Sequence, residues 1–217
     1  MLVRQIMTHE VVALGPDTPI KDLQMLMELR DIRHFPILAN RAGEGNHDEL
    51  VGIVSDRDLR LIGADHPKSP VGVVAADPVS AVMNSPVVTA HPEDPVEEAA
   101  VVLRSTKVGA LPVLEHGRLV GIVTSSDMLE ALIVMAGFGV DSSRIEVEVP
   151  NRPGALSELL GYLARHDLNV NSVMTTRREE DAISFALRVG IPSGDQLAAQ
   201  LRDAGFTVEW PRERGTE

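Results

Sequence analysis

Apolar residues recur along this chain with two alternating periods, and the order of those periods repeats. Val11, Val12, Ala13 and Leu14 form a short apolar run that reads as a buried strand, closed by Gly15, Pro16 and Asp17. Ile20, Leu23, Leu26 and Met27 then follow at helical spacing, with Thr18 as the expected N-cap and Pro19 at the first helical position. Residues 35–38 and 50–54 read as strands, and Ser55 reads as the cap of a helix reaching about Ile62. The same signals then return. Asp94 is the expected N-cap, Pro95 the first helical residue and Glu97 the partner in a capping box. Val96, Ala99, Ala100 and Leu103 form the apolar stripe of that helix. Residues 111–114 and 119–123 read as strands, and Thr124 caps a helix carrying Leu129, Leu132 and Ile133. Each copy reads β-α-β-β-α, and residues 63–79, with three prolines, read as the linker.

The two copies share more than periodicity. Gly52, Ile53, Val54, Ser55 and Asp58 return as Gly121, Ile122, Val123, Thr124 and Asp127. His34, Phe35, Pro36 and Ile37 return as Ala110, Leu111, Pro112 and Val113, and Met7 with Val11 and Val12 returns as Met83 with Val87 and Val88. Upstream pairs are separated by 76 positions and downstream pairs by 69. One insertion in copy one, within residues 39–49, accounts for the difference; its Gly, Asn and charged residues read as a surface hairpin loop. Repetition of order and chemistry marks one structural unit used twice. Neither copy is long enough for a sizeable core of its own, so the two should pack together.

After Gly139 the pattern changes. Residues 145–149 alternate strictly and read as a half-buried strand, and 150–154 read as a turn. A helix over 155–165 follows, with Leu156, Leu159, Leu160 and Leu163 on one side. Residues 170–176 and 182–189 read as strands joined by the charged tip 177–181. Ser193 and Gln196 suggest a capping box for a helix ending at Gly205, and 206–210 closes as a strand. The order βαββαβ is that of a ferredoxin-like unit. The expected fold class is therefore α/β (α+β), with copy one in 1–65, linker and copy two in 66–138, a third unit in 143–211 and a frayed tail in 212–217.

Composition narrows the function classes. A formal charge of −12 argues against a broad phosphate-binding surface for nucleic acid and against attraction to anionic lipid. There is no cysteine, hence no disulfide, thiolate nucleophile or Cys-based zinc site. Seven histidines show no metal spacing, and no Gly-x-Ser-x-Gly or Walker-type loop is present, so no catalytic role and no metal are expected. The run 131–140 is interrupted by Gly137 and Gly139 and is too short to span a bilayer. Met1 opens directly into the repeat, with no signal-peptide pattern; a cytoplasmic protein is expected. Met25, Met27, Met83 and Met135 read as core filler in a chain with one Trp, one Tyr and four Phe. Trp210 is expected to anchor a sheet edge or a dimer contact.

The duplicated Met…Val-Val…Pro…Gly-Ile-Val-(Ser/Thr)-x-x-Asp unit resembles a tandem CBS-domain pair, or Bateman module, over residues 1–138. The turn Asn151-Arg152-Pro153-Gly154-Ala155-Leu156, with Asn169 and Val170 downstream, resembles an ACT domain over 143–211. The order of the three units is similar to that of acetoin-utilisation AcuB-type proteins. The first resemblance implies two repeats paired about a pseudo-two-fold, an adenosyl ligand (AMP, ADP, ATP or S-adenosylmethionine) between them, and disc-like homodimers. The second implies dimerising sheets and, in many members, amino-acid binding at the first strand–helix turn. Neither implies catalysis; a regulated enzyme or transporter is the implied partner.

The residues fit that chemistry. A hydroxyl where a strand enters a helix sits beside free N–H groups and the positive end of the helix dipole, which suits a phosphate. Ser55 and Thr124 are thus candidate phosphate or cap residues, and Asp58 and Asp127 candidate ribose acceptors. Adenine would lie against Val12 and Pro36 in one copy and Val88 and Pro112 in the other. Copy one adds Arg33, His34 and Arg57, where copy two offers Val108, Ala110 and Ser126 with Lys107 as its nearest cation. The Asp58 site is therefore expected to take the more highly phosphorylated ligand. In the third unit, Gly154 and Ala155 would present helix N–H groups to a carboxylate, with Asn151 and Asn169 as further candidates. Asn151 stands where ACT sequences commonly place aspartate and cannot pair ionically with a ligand ammonium. A purely structural ACT unit and a scaffold with degenerate sites are the alternatives. Gly137, Phe138 and Gly139 read as a hinge or a passive linker between the units.

Overall fold

The computed structural model describes residues 1–40, 48–60, 62, 71–138 and 141–212. Residues 41–47 of the hairpin loop expected within 39–49, most of the linker's first half, Gly139 and the tail beyond 212 lie outside the described residues. The chain divides into two compact units, Met1–Ala131 and Leu132–Glu217.

In the first unit each copy contributes two helices and an antiparallel strand pair. Copy one supplies α1 (Ile20–Arg30), β1 (His34–Asn40), β2 (Asp48–Ser55) and the short α2 (Asp56–Leu59). Copy two supplies α3 (Val96–Thr106), β3 (Ala110–Glu115), β4 (Arg118–Thr124) and α4 (Ser125–Met135). The β3–β4 connection is the two-residue turn His116-Gly117, both at positive φ, the geometry that matches strand twist in a tight hairpin. Both strand pairs shift register at the same motif position, between Ile37 and Leu38 and between Val113 and Leu114.

The leading segments are exchanged between copies. Val3 and Met7, from the start of copy one, are buried with Leu103, Leu111, Val113 and Val123 of copy two. Val79, with Val82 and Met83 packed beside it, joins Ile20, Leu23, Phe35 and Val54 of copy one. The backbone bonds are reciprocal. Thr8 exchanges two hydrogen bonds with Ile122 (2.9 and 3.0 Å), and Asn84 exchanges two with Ile53 (2.9 and 3.1 Å). Val3 N donates to Asp94 O at 2.9 Å, and Val79 N to Thr18 O at 2.8 Å. The last residue of the expected linker is therefore core: Val79 is fully buried, while Val71 and Val74 before it are exposed.

This exchange explains why the expected N-caps shift by one residue. Pro19 and Pro95, both extended, are the N-caps, in place of Thr18 and Asp94. The first helical amides are satisfied from outside: Ile20 N donates to Asp77 O at 2.9 Å and Val96 N to Met1 O at 3.1 Å. The Asp94 carboxylate instead accepts from His91 N at 2.7 Å, so the Glu97 box does not form. Three further expectations are corrected. Residues 11–14 are no strand: Leu14 alone bridges to Ile37, as Ala90 does to Val113, each through two backbone bonds. The helix after Ser55 ends at Leu59, where Ile62 N closes back on Leu59 O in a tighter turn. Met25 and Met135 are exposed, not core filler, while Met27 and Met83 pack against the copy-one core.

The second unit runs β5 (Ser143–Pro150), α5 (Ala155–Arg165), β6 (Val170–Arg178), β7 (Ala182–Val189), α6 (Gly194–Asp203) and β8 (Thr207–Trp210). The strands form one antiparallel sheet in the order β6-β7-β5-β8, the ferredoxin-like arrangement. Alternation puts Ile145, Val147 and Val149 on one face, where they pack with Leu159, Leu163, Leu197 and Leu201 of the helices. Ser193 is the N-cap of α6 but its side chain makes no capping bond, so the expected box is absent. Trp210 lies half exposed on the edge strand β8. Of the segment that read as a hinge or a passive linker, Gly137 and Phe138 are docked within the second unit. Gly137 is buried at φ +76°, Ala136 O accepts from Ser172 Oγ at 2.8 Å, and Arg188 stacks 3.7 Å over the Phe138 ring.

Candidate functional site

The two strand–helix junctions of the first unit carry the same constellation. Ser55 N and Oγ both donate to Asp58 Oδ2, at 2.8 and 2.6 Å. Thr124 N and Oγ1 both donate to Asp127 Oδ2, at 2.7 and 2.8 Å. Each aspartate thus closes the first turn with one oxygen, while no described residue donates to the other, Oδ1. All four residues are half-buried. A fixed carboxylate with one open oxygen, next to helix N–H groups, can accept from a diol while the turn faces an anion.

The exchange decides what stands beside each junction. Thr8 pairs with Ile122, two residues before Thr124, and Asn84 with Ile53, two before Ser55. Each junction is thus flanked by the leading segment of the other copy. Of the residues expected to line an adenine, Pro36 and Pro112 are buried in β1 and β3, Val12 is half-buried and Val88 is exposed.

The copies differ where expected, with one adjustment. Asp56 N donates to Arg33 O, and Ser125 N to Gly109 O, so the counterpart of Arg33 is Gly109 rather than Val108. That glycine has a steric reason. A Cβ there would lie 2.5 Å from His34 Nε2, so the copy-one imidazole packs directly on copy two. Burial lowers the His34 pKa below its ordinary 6.5, with Asp56 opposing and Arg33 adding to the effect. Arg33 and Arg57 form no ion pair with a described residue, whereas Arg60 is tied to Asp56 at 2.7 Å. Gly52 and Gly121 have the same kind of reason: each faces the methionine of the exchanged segment, Met83 and Met7. Periodicity did not signal Thr8, Asn84 or Gly109; the repeat offsets relate Thr8 to Asn84, but not to the opposite copy.

In the second unit, Asn151, Gly154 and Ala155 line a cleft of about 370 Å³ at the β5–α5 turn, together with Arg152 and Arg178. Its apolar wall includes Leu156, Ile183 and Phe185. Asn151 Nδ2 donates to Glu179 O and Glu180 O, at 2.9 and 3.2 Å, fastening the turn to the β6–β7 tip. Asn169 does not line this cleft; its Nδ2 donates to Asn171 Oδ1 at 2.8 Å. Among the described residues no group of His, Asp and Glu has the arrangement of a metal site, and no helix is long and apolar enough to cross a membrane.

Two paired repeats with matching strand–helix junctions, followed by a ferredoxin-like unit, define a tandem CBS module joined to an ACT domain. The chain belongs to the CBS-domain family: the CBS-domain model matches residues 3–64 and 79–134, and the ACT-domain model matches 143–206. A CBS domain-containing protein of Dictyostelium discoideum is 37% identical over 140 residues, covering 61% of this chain and 92% of that protein. Among solved structures, an acetoin utilization protein (AcuB) of Vibrio cholerae is 32% identical with a TM-score of 0.50, over 62% of this chain and 91% of that one. CBSX2, solved in complex with AMP, shares the fold at 24% identity and a TM-score of 0.52, over 62% of this chain and 97% of its own. The inosine-5′-monophosphate dehydrogenase of Thermoplasma acidophilum matches at 31% identity over 57% of this chain but only 22% of that enzyme.

Proposed function

We propose that this chain is a non-catalytic, cytoplasmic regulatory sensor whose paired CBS repeats bind an adenosyl ligand. The observation that carries this reading is the duplicated junction, in which Asp58 and Asp127 each hold a hydroxyl with Oδ2 and leave Oδ1 open. Ribose binds those open oxygens and phosphate faces the adjoining helix starts. That a CBS pair of this fold is solved with AMP is consistent with this assignment. Arg33 and Arg57 make the Asp58 site the one for ADP or ATP; the Asp127 site, beside Gly109, Ala110 and Ser126, takes AMP or S-adenosylmethionine. Ligand occupancy is passed on through α4, which begins at Asp127's turn and whose last residues belong to the second unit. The protein works as a homodimer acting on an enzyme or transporter. The ACT cleft favours a second reading, a small-molecule sensor at Gly154 and Ala155.

The test is calorimetric titration of the full chain with AMP, ADP, ATP and S-adenosylmethionine, repeated with Asp58→Asn and Asp127→Asn. Asparagine is preferred because alanine would also remove the helix-start bonds, at about 1 kcal/mol each. Saturable ADP or ATP binding that weakens about 10- to 100-fold in Asp58→Asn, and little in Asp127→Asn, is expected for a charged hydrogen bond. Absence of binding to all four would overturn the reading in favour of a scaffold.

A further inference from the structure

The ACT cleft carries an inference about ligand class, which rests on the reading of that cleft as a ligand site. Its lining contains two guanidinium groups and no carboxylate. Arg152 is engaged by Glu158 at 2.8 Å. Arg178 pairs through its backbone with Ile183 at the end of β6, but its guanidinium forms no hydrogen bond or ion pair with any described residue. In a chain of formal charge −12, a cation left unneutralised beside an apolar wall invites an anion. Two further donors point the same way. Gly154, at φ +88°, opens α5 with no side-chain cap, and the Leu156 and Ser157 N–H groups have no acceptor among the described residues.

What the cleft lacks is equally specific. A zwitterionic amino acid needs an acceptor for its ammonium group. Asn151 offers one neutral oxygen, because its Nδ2 is committed to the Glu179 and Glu180 carbonyls. The ammonium would otherwise share the cleft with Arg178, a like charge. Leu156, Ile183 and Phe185 meanwhile offer an apolar surface. The volume, about 370 Å³, is within the range of small-molecule sites. We propose that the cleft at the β5–α5 turn binds an organic carboxylate with an apolar body and no ammonium group, held by Arg178 and the start of α5.

Matched probes isolate the one group in question: 3-phenylpropanoate against L-phenylalanine, and 4-methylpentanoate against L-leucine. Titrated into the full chain, each carboxylate is expected to bind at least about tenfold more tightly than its amino acid. Arg178→Gln should weaken the carboxylates about tenfold or more while leaving the nucleotide response of the CBS pair unchanged. Equal or tighter binding of the amino acids would overturn the ligand class but leave the cleft standing as a site. No binding of any of the four at about 10 mM would remove the cleft reading itself. Carboxylate binding insensitive to Arg178→Gln would overturn the assigned contact.

Discussion

Gly121→Ala tests the exchange of leading segments directly. Gly121 is buried in β4, and an added Cβ would stand 2.5 Å from Met7 Sδ, 2.9 Å from Met7 Cγ and 3.1 Å from Thr8 O. Met7 is flexible and can retreat, but only into a packed core, since it is 8% exposed. Thr8 O cannot retreat without loosening the bond it accepts from Ile122 N at 3.0 Å. Overpacking of this kind costs about 1–3 kcal/mol. Replacing a strand glycine by alanine returns about 0.5–1 kcal/mol of backbone entropy. The net expectation is a loss of about 1–2 kcal/mol. For Gly52→Ala the three nearest atoms all belong to the Met83 side chain, from Sδ at 2.4 Å to Cβ at 3.0 Å, so a loss in the same range is expected. The assay is urea denaturation followed by far-UV circular dichroism, with fluorescence of the single Trp210, in the second unit, as an internal reference. Met7→Ala alone should cost about 2–5 kcal/mol, and less in the Gly121→Ala background, because the smaller residue makes room for the new methyl group. A neutral or stabilising Gly121→Ala, or additivity of the two substitutions, would refute the contact on which the exchange rests.

Two further perturbations follow from the geometry. The His34 pKa lies below its ordinary 6.5 because burial disfavours the cation. The unfolded chain therefore binds more protons in the window from 6.5 down to the folded value. Stability is fully present above 6.5 and declines as pH falls through that window. His34→Gln should flatten this component of the first unit's pH–stability curve; an unchanged slope would show that His34 is not its source. In the second unit, Gly137→Ala forces a side chain onto a positive φ with Ser172 Oγ 2.9 Å away. It should lower the midpoint of the Trp210 transition by more than Ser172→Ala, which loses one hydrogen bond worth about 1 kcal/mol. Equal midpoints for wild type and Gly137→Ala would mean that the segment after α4 is a free linker.

The CBS reading and the ACT cleft concern separate units, so each can fail alone. Loss of nucleotide binding in Asp58→Asn bears on the first, and the matched carboxylates bear on the second. A carboxylate response that survives when nucleotide binding is lost would make this a two-input protein, with coupling measurable as a change in one affinity on saturating the other site.

The amino-acid sequence by itself determined the main helices and paired strands, though not the strand expected over 11–14. The alternation of Ile145, Val147 and Val149, the stripe of Leu156, Leu159, Leu160 and Leu163, and the doubled Gly-Ile-Val-(Ser/Thr)-x-x-Asp motif are local signals. Strands and helices obey them wherever their burying surface comes from. The hydroxyl–aspartate boxes were legible for the same reason, since three residues of spacing on one helical turn bring those groups together in any context. Tertiary structure alone decided which copy each leading segment serves. Because the copies are nearly equivalent, Val3 and Met7 match the pattern of either core, and nothing local distinguishes exchange from self-packing. That choice moved the caps from Thr18 and Asp94 to the following prolines, because the amides of Ile20 and Val96 found carbonyls on the exchanged segments. It also set Met7 against Gly121, and Met83 against Gly52, turning two glycines that read as strand residues into points of close approach. Arg178 is the counterpart in the second unit. As sequence it is one charge in an acidic tip, and only the antiparallel pairing of β6 with β7 brings it to the cleft beside Phe185.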